Sequence, residues 1–192
     1  MNRSIQHKPE AILAAALSVF HEEGVQVSTA RIASAAGVSN GSLFNYFPTK
    51  QALIDALYVW IKTDLAAAVG EFDDAEPIVC RMRQVWDRWL GWARENRDAH
   101  LVVNLLHQAG LASPEAQEAG DVAIAGPVQV LNEAEELGIL VDLPLPHLAA
   151  LIQHHIDQAV TSELDDRQAD LAFHVLWNGI TQKTPPPRST RP

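Results

Sequence analysis

Cysteine is all but missing from this 192-residue chain. The one residue, Cys80, cannot close an intrachain disulfide or build a cysteine-rich zinc site, and such usage fits a reducing, cytoplasmic compartment. Long hydrophobic runs are lacking as well. No segment approaches the roughly 20 apolar residues that a membrane span needs, and Met1–Glu10 has no apolar stretch of the kind a signal peptide carries. Catalytic signatures are absent: there is no G-x-S-x-G, P-loop, H-E-x-x-H or G-x-G-x-x-G. His154 and His155 are adjacent and point apart on a helix, and His21-Glu22-Glu23 lacks the second histidine of a zinc helix. No catalytic residue, metal site or cofactor is therefore expected.

Positive charge is scarce too. The net charge is −10, which at first argues against a nucleic-acid partner. Its distribution matters more. Residues 1–50 hold Arg3, Lys8, Arg31 and Lys50 against Glu10, Glu22 and Glu23, so the acid lies in the remainder. A near-neutral N-terminal module beside an acidic body must draw DNA affinity from local contacts.

What is present is helix, and period-2 strand alternation is not seen. Apolar residues make up 47% of the chain, enough for a sizeable core. Pro9 and Glu10 suit a helix start before Ile12, Leu13, Ala16, Leu17 and Phe20, and Gly24 ends that helix. Ser28 or Thr29 caps a second, which stops at Gly37; Ser39 caps a third, which stops before Pro48. Thr49 caps a long fourth helix reaching about Val69. Helices follow over about 78–96, 99–109, 115–137 with a kink at Gly126-Pro127, 147–164 and 166–181. The expectation is an all-α fold of about nine helices: a three-helix module over 1–50, a larger helical ligand-binding and dimerisation domain over 51–182, and a disordered proline-rich tail over 183–192.

Ser28–Phe47 carries the chemistry. Ile32, Ala33, Ala36, Val38, Leu43 and Phe47 form a small core, and Gly37 supplies a turn most residues resist. The third helix leaves Asn40, Gly41, Ser42, Asn45 and Tyr46 on its remaining surface. All can hydrogen-bond or admit a close approach, and none is charged. Glycine within a helix costs roughly 1 kcal/mol relative to alanine, so Gly41 makes sense where a sugar–phosphate strand comes near. Asparagine can read adenine edges, and serine hydroxyls suit base or phosphate. Lys50 and the fourth helix's first amides can clamp a phosphate. The plainer alternative is a generic three-helix module that packs on something else.

The run V-S-T-A-R-I-A-S-A-A-G-V-S-N-G-S-L-F-N-Y-F-P-T-K-Q-A-L-I-D-A-L resembles the signature of TetR-type transcriptional regulators, and the likeness covers about residues 10–60. The resemblance implies that Thr29 falls where the family contacts phosphate, that Ser39, Asn40, Ser42, Asn45 and Tyr46 occupy recognition-helix contact positions, and that Lys50 matches the phosphate-binding lysine. Phe44 stands where tyrosine is more usual, which removes a hydroxyl able to touch the DNA backbone. The resemblance further implies an effector pocket among helices five to eight and a homodimer through the last two.

The remaining sequence offers its own signals. His100, Asn104, His107 and Gln108 form a polar stripe in a segment, Ala99–Pro114, without charged residues. The stripe faces a ligand cavity, or it faces solvent or bonds internally. Trp86, Trp89 and Trp92, three apart, are core or the wall of a pocket for a lipophilic, weakly polar effector. Leu151, Ile152, His155 and Ala159, with Ala172, Val175, Leu176 and Gly179, are the expected dimer interface, His155 as a satisfied interface residue. Together these point to a homodimeric repressor that binds a palindromic operator in double-stranded DNA and is released by a small molecule. The alternatives are an activator, an effector-free regulator, or a small-molecule binding module whose DNA head no longer functions.

Overall fold

A computed structural model describes residues 8–182; the expected tail over 183–192 lies outside them. Among the described residues the fold is all-α, with ten helices: α1 (Lys8–Glu23), α2 (Thr29–Ala35), α3 (Asn40–Tyr46), α4 (Lys50–Val69), α5 (Ile78–Glu95), α6 (Arg97–Gln108), α7 (Pro114–Ala123), α8 (Ala125–Glu136), α9 (Leu145–Thr161) and α10 (Asp166–Ile180). None is long and apolar enough to cross a membrane. The extra helix comes from the expected seventh, which the structure divides at Ile124. Pro127 is the third residue of α8, where a helix has no intrahelical partner for the missing N–H. The proline therefore sits in a first turn instead of kinking a continuous helix.

The helices fall into two compact units, one up to Ala67 with Glu95–Ile124, the other Ala68–Arg94 with Ala125 onward. In the first, α1 packs on α2 and α6, and α2 on α3. Ile12, Phe20, Ile32, Leu43, Leu53, Leu57 and Leu106 are fully buried there. Each such side chain stabilises by roughly 1.5–3 kcal/mol on burial. Polar ties reinforce the packing: the Gln51 amide donates to the Leu111 carbonyl at 2.8 Å, and the Ser113 N–H donates to Asp55 at 2.9 Å. The boundary expected at residue 50 is thus not where packing divides; α4, α6 and α7 share a core with the three-helix head.

The second unit is built around α5, whose Met82, Val85, Trp86, Trp89 and Leu90 are buried. Phe173 of α10 meets the Trp86 ring at 6.0 Å and stacks on Trp177 at 6.3 Å. Asp165 caps α10 in a reciprocal pair with Gln168. The chain before α9 is pinned to the end of α10 by backbone bonds from Val141 to Ile180 and from Gln182 to Ile139, each 2.9 Å.

Candidate nucleic-acid interface

Two serine caps shape the head. Ser28 accepts the Arg31 N–H at 3.3 Å and starts α2; Ser39 accepts the Ser42 N–H at 3.1 Å and starts α3. Between them Gly37 takes a φ of 66°, and the Val38 N–H returns to the Ala33 carbonyl at 3.0 Å. This is a helix-turn-helix. Leu43, fully buried, and Phe47 anchor α3 from beneath.

Asn40, Gly41 and Asn45 are exposed on α3, with Ser42 and Tyr46 half-buried. Ser39 and Ser42 share a hydroxyl–hydroxyl bond of 2.9 Å. A Cβ on Gly41 would meet only the Ser39 hydroxyl, 4.0 Å away, so the protein's own packing gives no reason for a glycine there. Phe44 is 38% exposed. Thr29, the first residue of α2, is half-buried. The result is a neutral, hydrogen-bonding surface, without a charged side chain in α3.

Two cations of the head, Lys50 and Arg31, are engaged within the protein. Lys50 donates its ammonium to the Val27 carbonyl at 2.7 Å, and Arg31 pairs with Glu23 through Nε at 2.8 Å and Nη2 at 2.7 Å. Neither partnership has a motif in the sequence: one acceptor is a backbone carbonyl, and the other pair bridges a loop.

The residues expected to line an effector pocket fall in different units, Trp86 and Trp89 in one, Asn104, His107 and Gln108 in the other. Trp86 and Trp89 are core, and their indole N–H groups are buried without an acceptor. The polar stripe largely bonds internally. Asn104 donates to Nε2 of the buried His100 at 3.2 Å, and His107 Nδ1 lies 3.2 Å from the Tyr58 hydroxyl, with the two rings stacked. Gln108 is exposed.

Tyr58 and Lys62 escape a reading of the sequence, where they lie beside the apolar stripe of α4. Tyr58 is fully buried, and the Lys62 ammonium sits 5.6 Å over its ring. Burial, and secondarily the Asp121 carboxylate, push the Tyr58 phenol up to about 12. Gly120 of α7 lets that helix lie against this ring: a Cβ there would come within 2.7 Å of Tyr58 Cε1.

The expected interface residues also divide. Of these, Ile152, Ala159 and Leu176 are buried within the protomer itself. Helical spacing marks an apolar face but not which neighbour covers it. Leu151, His155 and Ala172 are half-buried, while Val175 is 68% exposed and Gly179 is exposed. The His155 ring donates from Nδ1 to the Leu151 carbonyl at 2.9 Å.

Comparison with known proteins agrees with this architecture. Residues 12–57 match the profile described as "Bacterial regulatory proteins, tetR family". The fold is similar over its length to a TetR family transcription regulator from Marinobacter aquaeolei, with a TM-score of 0.82 at 20% identity, covering 95% of this chain and all of that one. It is similar also to a putative tetR family regulator from Shewanella, with a TM-score of 0.81 at 23% identity, covering 92% and 99%. Among curated proteins, the nucleoid occlusion factor SlmA of Vibrio cholerae is 29% identical over 97 residues, 50% of each chain. That of Haemophilus ducreyi is 33% identical over 70 residues, 35% of each. The matched part thus spans half or less of these relatives. The head is a helix-turn-helix of the kind that the tetR family profile describes. The likeness to the TetR family thus rests, by sequence, on the head, and over the rest of the chain on the fold alone.

Proposed function

We propose that the protein is a homodimeric repressor that binds a palindromic operator and is released by a small lipophilic effector. The observation that carries the DNA-binding part is the α3 surface: a capped, firmly anchored helix whose outward Asn40, Ser42 and Asn45 are neutral hydrogen-bonding groups beside an unneeded glycine. Asn45 reads a base edge, Asn40 and Ser42 read or approach the neighbouring pairs, and Thr29, Ser39 and Tyr46 hold the backbone. Two such helices enter successive major grooves about one helical turn apart.

The test is binding to duplexes selected from a random-sequence pool, titrated with salt. Affinity should fall steeply as salt rises, the mark of phosphate contacts. Asn45→Ala should relax preference at one base position by about 1–3 kcal/mol. An unchanged preference would remove Asn45 from base reading, and an absence of binding to any duplex would leave the ligand-binding module with an inactive head.

For a partner copy, α10 offers Leu171 and Val175, 53% and 68% exposed, with Gly179 one turn further on the same face. A two-fold contact across this stripe would cover them; a monomeric mass by light scattering would sink it. For an effector, the support is the pair of unpartnered indole donors of Trp86 and Trp89. An apolar compound carrying an oxygen acceptor would pair them. Release requires that it bind better to the state with mis-spaced heads. A thermal-shift screen answered only by charged compounds or metals would count against this.

The relatives named as nucleoid occlusion factors favour a second reading, in which DNA binding serves something other than transcription. Mapping bound sites across the chromosome separates the two: a few sites at promoters support the repressor, and many dispersed sites the alternative.

A further inference from the structure

We infer that Phe44 is a specificity-determining residue of the reading surface, whose ring packs against the C5-methyl group of a thymine. This rests on the DNA-binding reading above and assigns the base chemistry that one side chain of that surface takes. The head buries its apolar groups closely: Ile12, Phe20, Ile32 and Leu43 are each 1% exposed or less. Phe44, at 38%, is the one large apolar side chain left exposed among the described residues up to Ile78. A single exposed apolar residue is ordinary on a protein surface, so its place decides. Leu43 before it and Phe47 after it turn into the core, and Phe44 does not. It follows Asn40 by four positions and Gly41 by three, and precedes Asn45. Residues three and four apart are neighbours on a helix surface, so the ring stands beside Asn40 and Gly41. It is not folded over the glycine, since a Cβ at Gly41 would have only the Ser39 hydroxyl within reach, at 4.0 Å. The exposed apolar group of the head therefore lies among the neutral hydrogen-bonding groups of α3.

The chemistry of the major groove names its counterpart. Base edges there present acceptors, donors and a single apolar group, the thymine C5-methyl. A phenyl ring has no hydroxyl to meet the acceptors or donors, and a phosphate gains nothing from it. Against the methyl, apolar surface leaves water on both sides of the contact. With no charged side chain in α3, no ion pair pulls this face of the helix towards the phosphates instead. The asparagines then select by hydrogen bonds, and Phe44 separates thymine from cytosine at a pyrimidine. 5-Methylcytosine carries the same methyl at the same carbon, so the shared chemistry is a pyrimidine C5-methyl, with thymine its source in unmodified DNA.

The experiment uses the full-length protein and the duplex that wild type selects from a random-sequence pool. Each thymine is replaced in turn by uracil, which removes the methyl and keeps every Watson–Crick group. Affinities are measured for wild type, Phe44→Ala and Phe44→Leu, each below its melting temperature. Wild type should lose about fourfold at one position, the worth of one buried methyl-sized group. Phe44→Ala should bind the thymine and uracil duplexes alike at that position, and Phe44→Leu, which keeps an apolar side chain, should retain part of the preference. The cycle separates the ring–methyl pair from any effect of uracil on the duplex itself. A uracil penalty that persists undiminished in Phe44→Ala would overturn the inference, as would a wild type indifferent to uracil at every position or a selected site with no fixed thymine. A gain from 5-methylcytosine at a fixed cytosine, absent in Phe44→Ala, would overturn the assignment to thymine in favour of a methylated site. Failure of wild type to bind any duplex would remove the DNA-binding reading and this with it, before uracil enters the comparison.

Discussion

In the unit that holds the head, Arg31 and Lys50 brace one loop, and the outward face of α3 carries no charge. In the other unit, arginines knit helices together. Arg81, buried at α5, meets Glu133 of α8 at 2.6 Å and Asp74 at 3.5 Å; Arg83 bonds Asp87 and Asp170; Arg94 reaches Asp166 at 2.8 Å and the Leu164 carbonyl at 2.7 Å. Arg88 caps the end of α4 through the Val69 carbonyl at 2.7 Å and lies over Phe72. The same kind of side chain closes a single turn in one unit and cross-links an acidic, tryptophan-rich body in the other. On the proposed role of α3, sequence reading and structural cohesion draw on different parts of the chain, and perturbing each should show it.

The largest effect is expected in the second unit. Trp86→Ala removes a ring that is 1% exposed and packed on Phe173, and should destabilise by about 3–5 kcal/mol in urea unfolding. A loss under about 1 kcal/mol would mean that α5 is not the centre of that core. Next comes Gly120→Ala in the head's unit. The new methyl collides with the fully buried Tyr58 ring, and overpacking of this kind costs about 1–3 kcal/mol. A neutral or stabilising outcome would show that α7 can slide on α4. Smaller still, Ser39→Ala removes the α3 cap and should cost about 1 kcal/mol. Its effect on DNA affinity beyond that measures the hydroxyl's own contact.

Acid and alkali should act on the two units in opposite order. Arg81 holds the Glu133 carboxyl below the usual carboxylate range, and Arg83 does the same for Asp170. Stability from a depressed carboxylate is present above its unfolded pKa and lost as pH falls through the folded one, so acid weakens the second unit. Tyr58 is raised, so its contribution is intact below the unfolded value near 10 and lost as pH rises towards about 12. Four of the five tryptophans, Trp86, Trp89, Trp92 and Trp177, lie in the second unit, so their emission should respond to acid. Tyrosinate absorbance near pH 12 should disappear in part in Tyr58→Phe. Simultaneous loss of both signals at each extreme would mean that the units unfold as one.

Local signals made much of this visible in advance. Ser28, Gly37, Ser39 and Pro48 punctuate the head within a few residues of one another, so its helices could be read directly. Pro127 misled because its meaning depends on where the helix begins, and that is set by the break at Ile124. The stripe from His100 to Gln108 could be seen, but the partner of His107 is Tyr58, 49 residues earlier, and only folding brings them together. Lys50 stood out as a conspicuous cation, yet its acceptor is a backbone carbonyl, which every residue has and no sequence advertises. Apolar spacing in α9 and α10 marks a face, whereas the burial of Ile152, Ala159 and Leu176 within the protomer depends on neighbours that spacing does not name.

The sparseness of bonds on the outer face of α3 has one more consequence. Leu43 and Phe47 alone sink into the core, while Asn40 and Asn45 stand exposed on the outside. Exchanging those two for other residues tolerated in a helix would leave the scaffold almost untouched, since surface changes away from caps and cores shift stability by about 0.5 kcal/mol or less. If α3 reads DNA as proposed, descendants of this chain could therefore acquire new target sites by drift at two codons without first acquiring a stability reserve.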